Sequence, residues 1–177
     1  MVKLARYDDP GMARFVTFSC YHNYNLLISE FALDTFVKCL ESTKQKYSFR
    51  LLGYVLMPNH VHVVIVPPNN VRLSRIISEI KSLSGRTILQ NWRAKNYKIL
   101  SRLLQSRDGQ VRHAFWQRRY YDHNCRTTEK AIEKIKYCHK NPVRAGLVEK
   151  PEDWKWSSYR FYYGMDNVVL QIDRIAL

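Results

Sequence analysis

The stretch FRLLGYVLMPNHVHVVIV, residues 49–66, gives the strongest indication of the fold class. It holds two runs, 49–57 and 61–66, in which β-branched, aliphatic and aromatic residues dominate. Such a composition favours strands, and the Pro58-Asn59 pair between the two runs is a turn signal. The simplest interpretation is a β-hairpin, and the rest of the sheet is predicted outward from it.

The segment before this hairpin predicts one strand and one helix. Residues 14–20 alternate in polarity, as the residues of a half-buried strand do. Ser29 suits a helix N-cap, with Glu30 in the first turn. The apolar residues after it follow the i, i+3, i+4, i+7 spacing of one helical face: Leu33, Phe36, Val37 and Leu40. A helix from residue 29 onward is therefore predicted.

The segment after the hairpin begins with a second helix and then becomes strongly basic. Apolar residues at helical spacing predict a helix over 73–92, in which Gly85 is expected to weaken or kink the helix. Residues 86–119 include nine Lys or Arg and one acidic residue, Asp108. Residues 106–109, Ser-Arg-Asp-Gly, predict a turn within this basic stretch.

The remaining elements complete the prediction of the fold class. A strand is predicted over 113–122, and a helix over 127–140 that Pro142 ends. The order β-α-β-β-α-β plus a further helix is that of an α+β, ferredoxin-like (split βαβ) antiparallel sheet with helices on one face. The other face would be free for nucleic acid. We predict a single domain, with a core over about 14–142 and an aromatic-rich tail over 143–177 that packs against it.

Composition and charge exclude several classes of protein. The 177 residues carry 29 Lys and Arg against 15 Asp and Glu, a net charge of +14, which attracts polyanions such as nucleic acids. The hydrophobic fraction of 46% argues against disorder. The longest wholly apolar run, 63–68, is too short to cross a membrane, and the N-terminus has no signal-peptide core. Four scattered cysteines favour a reducing, cytoplasmic location and argue against a cysteine zinc site.

His60 and His62 are the first candidate site residues. Residues i and i+2 of a strand point to the same face, so both imidazoles could bind one divalent cation. Two ligands are too few for a structural zinc site, but they suit Mg²⁺ or Mn²⁺ that also binds phosphate oxygens and water. The alternative is a pair of ordinary, half-exposed strand histidines.

The helix predicted over 127–140 supplies the second group of candidates. Tyr137 and Asn141 are four residues apart and share a helical face, with Lys134 one turn before Tyr137. Tyr137 could be a nucleophile, and the amide oxygen of Asn141 could bind a hard cation. The alternatives are a packing tyrosine and a residue at the helix end.

Aromatic and basic residues alternate in FWQRRYY, residues 115–121. Bases stack on aromatic rings while arginine binds phosphate, a combination typical of proteins that bind single strands. In a strand, Trp116 and Arg118 would lie on one face, and Phe115 and Arg119 on the other. We expect one of these faces to contact nucleic acid and the other to join the core.

Two motifs resemble those of a known family. Residues 56–64, LMPNHVHVV, resemble the His-hydrophobic-His motif of the single-tyrosine HUH transposases, and residues 137–148, YCHKNPVRAGLV, resemble their nucleophile helix. The second motif together with residues 151–159, PEDWKWSSY, is similar to the REP-associated tyrosine transposases. Residues 115–119 and 121–123 also fit that branch, and the likeness spans roughly 14–162.

The resemblance implies a mechanism and a set of roles. His60 and His62 would hold Mg²⁺ or Mn²⁺, and Asn141 stands where the family has its third metal ligand, a glutamine in some relatives. Tyr137 would attack phosphorus, leaving a 5′-phosphotyrosine and a free 3′-OH. Cys138 replaces the usual aliphatic residue after the tyrosine. The partner would be single-stranded DNA with hairpin repeats, the protein a monomer or a homodimer, and the DNA contacts Arg86, Trp116, Arg118, Arg119 and Lys134.

Two other functions fit parts of the sequence. A non-catalytic nucleic-acid binder on the same sheet would explain the charge and the aromatic residues but not the histidine pair with Tyr137. A metal-dependent phosphohydrolase that uses water would need the histidines but not Tyr137. The sequence therefore favours the strand transferase, and no general base stands out.

Overall fold

The computed structural model describes residues 11–175. The prediction that no signal peptide is present concerns N-terminal residues outside this range. The elements in chain order are strand β1 (Ala13–Ser19), helix α1 (Glu30–Tyr47), strands β2 (Arg50–Leu56) and β3 (His60–Val66), helix α2 (Leu73–Ala94), strands β4 (Leu104–Arg107), β5 (Gln110–His113) and β6 (Tyr121–Cys125), and helices α3 (Thr128–Arg144) and α4 (Tyr159–Tyr162). Short 3₁₀ turns cover Tyr21–Asn23, Lys98–Leu103 and Pro151–Asp153.

Four strands form one antiparallel sheet in the order β2-β3-β1-β6. Counted along the chain, these four strands lie in the order 2-3-1-4, which is the ferredoxin-like arrangement, so the predicted fold class is confirmed. The hairpin over 49–66 is β2–β3. The Ser29 hydroxyl caps α1 by accepting a hydrogen bond from the Ala32 N–H at 3.2 Å.

Helices pack on both faces of this sheet. Alternate residues of β3 point to opposite faces, and Val61, Val63 and Ile65 join the core beneath α1 and α2. Val64 faces a smaller core beneath α3, which contains Ile135 and Cys138. The expectation of a face free of helices was therefore wrong, because α3 covers part of it. None of the helices in residues 11–175 is long and apolar enough to cross a membrane.

The strand predicted over 113–122 was also wrong. β5 ends at His113, β6 begins at Tyr121, and the connection between them buries both Phe115 and Trp116. Strand alternation would have exposed one of these two side chains. They fit because Gly85 has no side chain: a Cβ there would lie 3.2 Å from Trp116 Cδ1 and 3.3 Å from Phe115 Cβ. Gly85 thus allows close packing, and α2 continues through it.

The basic stretch forms a separate two-stranded ribbon, β4–β5, which the sequence did not predict beyond its turn. Asp108 and Gly109 make that turn with φ of 51° and 74°. Such left-handed backbone is typical of a two-residue hairpin loop. The turn predicted at 106–109 is therefore confirmed, and strands flank it on both sides.

Helix α3 is longer than predicted, because Pro142 lies in its last turn and does not end it at 140. The helix ends in a Schellman motif: Gly146 N–H donates to Val143 O at 3.0 Å, and Leu147 N–H donates to Pro142 O at 2.9 Å. Gly146 has a φ of 68°, which a glycine adopts without strain.

The tail packs against the sheet, as predicted. Leu56 N–H donates to Trp156 O at 2.9 Å, and Ser158 N–H donates to Tyr54 O at 3.0 Å, so the tail pairs with the outer edge of β2. The indole N–H of Trp154 donates to Leu56 O at 2.9 Å. The edge strand is thereby covered where it runs beside α3.

Candidate active site

His60 and His62 lie on the α3 face of the sheet, at the start of β3. Their partners in β1 are Ser19 and Thr17. The two Nε2 atoms face each other at 3.1 Å. The same-face arrangement predicted from strand periodicity is therefore present.

Each imidazole is held through its other nitrogen. His60 Nδ1 lies 2.6 Å from Asn59 Oδ1, and His62 Nδ1 lies 2.7 Å from Thr17 Oγ1. An amide oxygen only accepts hydrogen bonds, so His60 Nδ1 donates and its Nε2 presents a lone pair to His62. A hydrogen bond behind each ring is the usual support of histidines that bind metals, because it fixes the tautomer and the ring orientation. The sequence analysis identified neither Asn59 nor Thr17 as supporting residues.

The surroundings keep both rings neutral. Burial lowers the pKa of His62 to about 3, with a smaller contribution from His60. Burial also lowers the pKa of His60 below its ordinary value. Neutral imidazole is the form that binds a metal ion.

The pair can accommodate a divalent ion. Two nitrogens 3.1 Å apart can each lie at an ordinary ligand distance, about 2.1 Å, from one ion. In residues 11–175, no third His, Cys, Asp or Glu completes a metal cluster with them. Further ligands would have to be oxygens of an amide, water or phosphate, which are the ligands that Mg²⁺ and Mn²⁺ prefer.

Helix α3 places Tyr137 beside the pair. Its buried stripe of Ala131, Ile135 and Cys138 packs on the sheet, and Tyr137 lies on the flank of the helix beside this stripe. The ring of Tyr137 meets His62 edge-on at 5.4 Å between centroids, and Phe15 at 5.8 Å. Phe15 also stacks on His62 at 5.1 Å. The tyrosine is 37% exposed, so a substrate can reach it.

Two other predicted residues flank Tyr137 on the same helix. Asn141 lies one turn further along and is buried, with 9% of its surface exposed. Lys134 lies one turn before; its Nζ is 5.4 Å from the centre of the Phe15 ring and 3.5 Å from Glu133 Oε1. The guanidinium group of Arg144 lies 5.7 Å from the centre of the Tyr137 ring, a contact that was not predicted.

His139 fixes α3 to the sheet and the tail, although the sequence analysis gave it no role. It is 3% exposed, and its Nε2 lies 3.0 Å from Ser158 Oγ. That hydroxyl accepts a hydrogen bond from Tyr54 N–H at 3.1 Å, so one side chain joins α3, the tail and β2. The rings of Tyr159 and Tyr162 lie within 5.5 Å of the imidazole. Burial lowers the pKa of His139 to about 4, so the ring is neutral at pH 7.

The residues predicted to contact DNA do not all lie together. Arg118 and Arg119 are exposed and line a cavity of about 310 Å³. Arg86 lines a different cavity of about 720 Å³ on the α1/α2 side of the sheet. Trp116 is only 8% exposed, and its indole N–H donates to Ser84 Oγ at 3.1 Å. Trp116 is therefore not exposed for stacking on bases, contrary to the prediction, because its ring belongs to the core.

Comparisons with known proteins place the chain in a family. The sequence model described as "Transposase IS200 like" matches residues 12–141. A Haemophilus influenzae protein that bears the name of a REP-associated tyrosine transposase is 25% identical over 128 residues, covering 72% of this chain and 68% of the relative.

Two solved structures share the fold. A REP-associated tyrosine transposase bound to a REP hairpin has a TM-score of 0.69 at 21% identity, over 100% of this chain and 95% of the other. A protein from Deinococcus radiodurans described as a transposase has a TM-score of 0.51 at 16% identity, over 79% of this chain and 97% of the other. Because the family model covers most of the chain, including the histidine pair and the tyrosine helix, this chain belongs to the IS200-like transposase family and is similar to its REP-associated tyrosine transposases.

Proposed function

We propose that this protein is a metal-dependent single-stranded DNA endonuclease and strand transferase that acts at hairpin-forming repeats. The observation that carries the proposal is the contact between Tyr137 and His62, 5.4 Å between ring centroids, in a chain of this transposase family. The REP hairpin in the structurally similar transposase supports a hairpin substrate. DNA chemistry of this kind belongs in the cytoplasm.

The proposed reaction exchanges one phosphoester for another. The phenol oxygen of Tyr137 attacks phosphorus and loses its proton; the bond from phosphorus to the 3′ oxygen breaks, and that oxygen gains a proton. The products are a 5′-phosphotyrosine and a free 3′-OH. The strand can be rejoined by the reverse step, because the ester retains the energy of the broken bond.

The residues around the tyrosine have separate tasks. A divalent ion, Mg²⁺ or Mn²⁺, held by His60, His62 and Asn141 would neutralise charge on the phosphate oxygens. Phe15 holds the Tyr137 ring from one side, and Lys134 supplies a cation for the neighbouring phosphates. Tyr137 contacts His62 of the same chain, so one chain can supply all of these groups, whether the protein acts as a monomer or as a homodimer.

The test is an adduct assay. The protein is mixed with end-labelled DNA hairpins from repeats that flank its own gene, with Mg²⁺ or Mn²⁺, and run on a denaturing gel. A metal-dependent protein–DNA band is expected, and Tyr137→Phe should abolish it. Tyr121→Phe is the matched control, since Tyr121 is exposed on the same face of the sheet but two strands away from β3.

The other outcomes separate the competing functions. Cleavage without an adduct, retained in Tyr137→Phe, would mean a hydrolase that uses water. A salt-sensitive complex without cleavage of any flanking hairpin would mean a non-catalytic binding protein. Either result would overturn the proposal.

A further inference from the structure

Arg144 lies beside the candidate nucleophile and has no task in the proposed reaction. It belongs to the motif over 137–148, of which the reaction uses only Tyr137 and Asn141. Its guanidinium carbon lies 5.7 Å from the centre of the Tyr137 ring. Its side chain is exposed to solvent. A substrate bound at the tyrosine would therefore meet this cation.

Helix α3 brings Arg144 onto the same face as Tyr137. The two residues are seven positions apart (144−137), close to two turns of 3.6 residues, and Asn141 lies between them on that face. Side chains of a helix lean toward its N-terminus, so Arg144 reaches back toward Tyr137. The arrangement requires α3 to continue past Pro142, and it does: Ala145 N–H donates to Asn141 O at 3.0 Å.

The positive charge of Arg144 is not neutralised by the protein. Within residues 11–175, its guanidinium group forms no ion pair with a carboxylate and no hydrogen bond, and it lies against the Tyr137 ring. An arginine in the last turn of a helix can bond the free carbonyl groups there, but Arg144 bonds none of those in the described chain. The cation one turn before the tyrosine differs, because Lys134 Nζ lies 3.5 Å from Glu133 Oε1.

The proposed reaction gives a cation at this position a task. While the bond from the Tyr137 oxygen to phosphorus forms and the bond to the 3′ oxygen breaks, negative charge is spread over the non-bridging oxygens of the phosphate. A guanidinium group offers paired N–H donors that match two such oxygens. A contact that strengthens as this charge develops raises the rate of the reaction more than the affinity for the substrate.

We propose that Arg144 is a further catalytic residue, whose guanidinium group binds the non-bridging oxygens of the phosphate that Tyr137 attacks. It holds the same phosphate in the phosphotyrosine, which carries its negative charge beside the ring. The contact with the ring in the free protein keeps the guanidinium group in place until DNA binds. The inference rests on the proposed function, because it takes a DNA phosphate as the group that Tyr137 attacks.

The test measures adduct formation in single turnovers, with the end-labelled hairpin of the adduct assay and the protein in excess. Titration of the protein gives the maximal rate and the concentration of half-maximal rate. The variants are Arg144→Gln, which removes the charge, and Arg144→Lys, which keeps the charge but not the paired donors. The matched control is Arg126→Gln, the same substitution at an exposed arginine that precedes α3 at the opposite end of the helix.

Arg144→Gln should lower the maximal rate by about 100-fold or more, the usual effect of removing a group that stabilises charge in the transition state. The concentration of half-maximal rate should stay within about threefold of wild type, because the contact strengthens only as the charge develops. Arg144→Lys should react faster than Arg144→Gln and more slowly than wild type. The control should match the wild type within about twofold in both quantities, because an exposed arginine away from the tyrosine has no part in the reaction.

A second substrate separates phosphate binding from a purely structural role. An uncharged methylphosphonate replaces the phosphate that Tyr137 attacks, at the position that the adduct assay identifies. On this substrate, wild type and Arg144→Gln should differ by less than about threefold, because Arg144 has lost its charged partner. A variant that is equally impaired on both substrates would show that Arg144 only holds the Tyr137 ring. A change in the half-maximal concentration alone would place its contact at another phosphate. Both results overturn the inference.

The wild-type protein distinguishes this inference from the proposed function. Absence of an adduct with the wild type would remove the strand transferase and, with it, this role of Arg144. An adduct that Arg144→Gln forms at the wild-type rate would remove the role of Arg144 and leave the strand transferase in place. Circular dichroism of each variant verifies that the fold is retained.

Discussion

The Thr17 hydroxyl is the support of the histidine pair that can be removed with the least change in shape. The hydroxyl oxygen lies 2.7 Å from Nδ1 of His62. Because His62 is only 6% exposed, water cannot readily replace this hydroxyl. Thr17→Val keeps the branched side chain of a strand residue but removes the hydroxyl. The ring of His62 then loses the hydrogen bond that fixes its orientation.

Two magnitudes follow from this geometry. Leaving a buried polar nitrogen without a partner costs about 1–3 kcal/mol of folding free energy. Loss of a hydrogen bond behind a ligating histidine typically weakens metal binding about 10–100-fold, which is about 1.4–2.8 kcal/mol. The first range applies to the free energy of unfolding and the second to metal affinity, so the two effects are measured separately. Thr17→Ser retains the hydroxyl and should stay within about threefold of wild type in metal affinity.

The assay measures metal binding and chemistry separately. Electron paramagnetic resonance of free Mn²⁺ gives the dissociation constant without DNA, and the adduct rate is followed as a function of Mn²⁺ concentration. For Thr17→Val, we expect both half-saturation points to rise 10–100-fold while the rate at saturating Mn²⁺ recovers to within a few-fold. Wild-type Mn²⁺ affinity in Thr17→Val would show that the His62 ring does not need its hydroxyl partner to bind the metal ion.

Three further perturbations test the framework of the site. Gly53→Ala places a Cβ 3.0 Å from Ile135 Cγ1 beneath α3; we expect a loss of about 1–3 kcal/mol in urea denaturation and slower adduct formation at unchanged DNA affinity. His139→Ala removes the contact with Ser158 and should lower the free energy of unfolding by a similar amount. It should reduce the rate of adduct formation by a larger factor than the affinity for the hairpin. Equal reductions of rate and affinity would contradict a role of His139 in placing Tyr137. Burial lowers the pKa of Lys81 to about 8, whereas the ordinary value is 10.5, so between these pH values the unfolded chain binds more protons than the folded protein. The free energy of unfolding of the wild type should therefore rise with pH relative to that of Lys81→Met. Parallel pH profiles of the two proteins would contradict a lowered pKa.

The sheet and its first two helices could be predicted because their burial follows local periodicity. The run over 49–66 is rich in β-branched, aliphatic and aromatic residues and contains its own turn, and α1 presents a single apolar stripe. The connection after β5 could not be predicted in this way. Phe115 and Trp116 are adjacent yet both buried, because Gly85, 30 residues earlier, leaves room for them. Such packing depends on tertiary contacts that no local pattern contains.

The candidate site likewise contains residues that local patterns could predict and one residue that they could not. The shared face of His60 and His62 follows from strand periodicity alone, and the role of Tyr137 came from the resemblance to a family. Thr17 could not be identified, because its contact with His62 depends on the register between β1 and β3. Sequence reasoning therefore identified the candidate residues for the proposed chemistry but missed Thr17, whose hydroxyl contacts one of them.

The tail adds a constraint that the family match does not contain. That match ends at residue 141, yet α3 is held in place by residues beyond it. Its last turn closes at Gly146, and His139 is held by Ser158, which also bonds β2. The tail further pairs with the edge of β2 through Trp156. Because the contact between Tyr137 and His62 depends on the position of α3 on the sheet, residues after 141 take part in building the site, and substitutions there that displace α3 should slow cleavage.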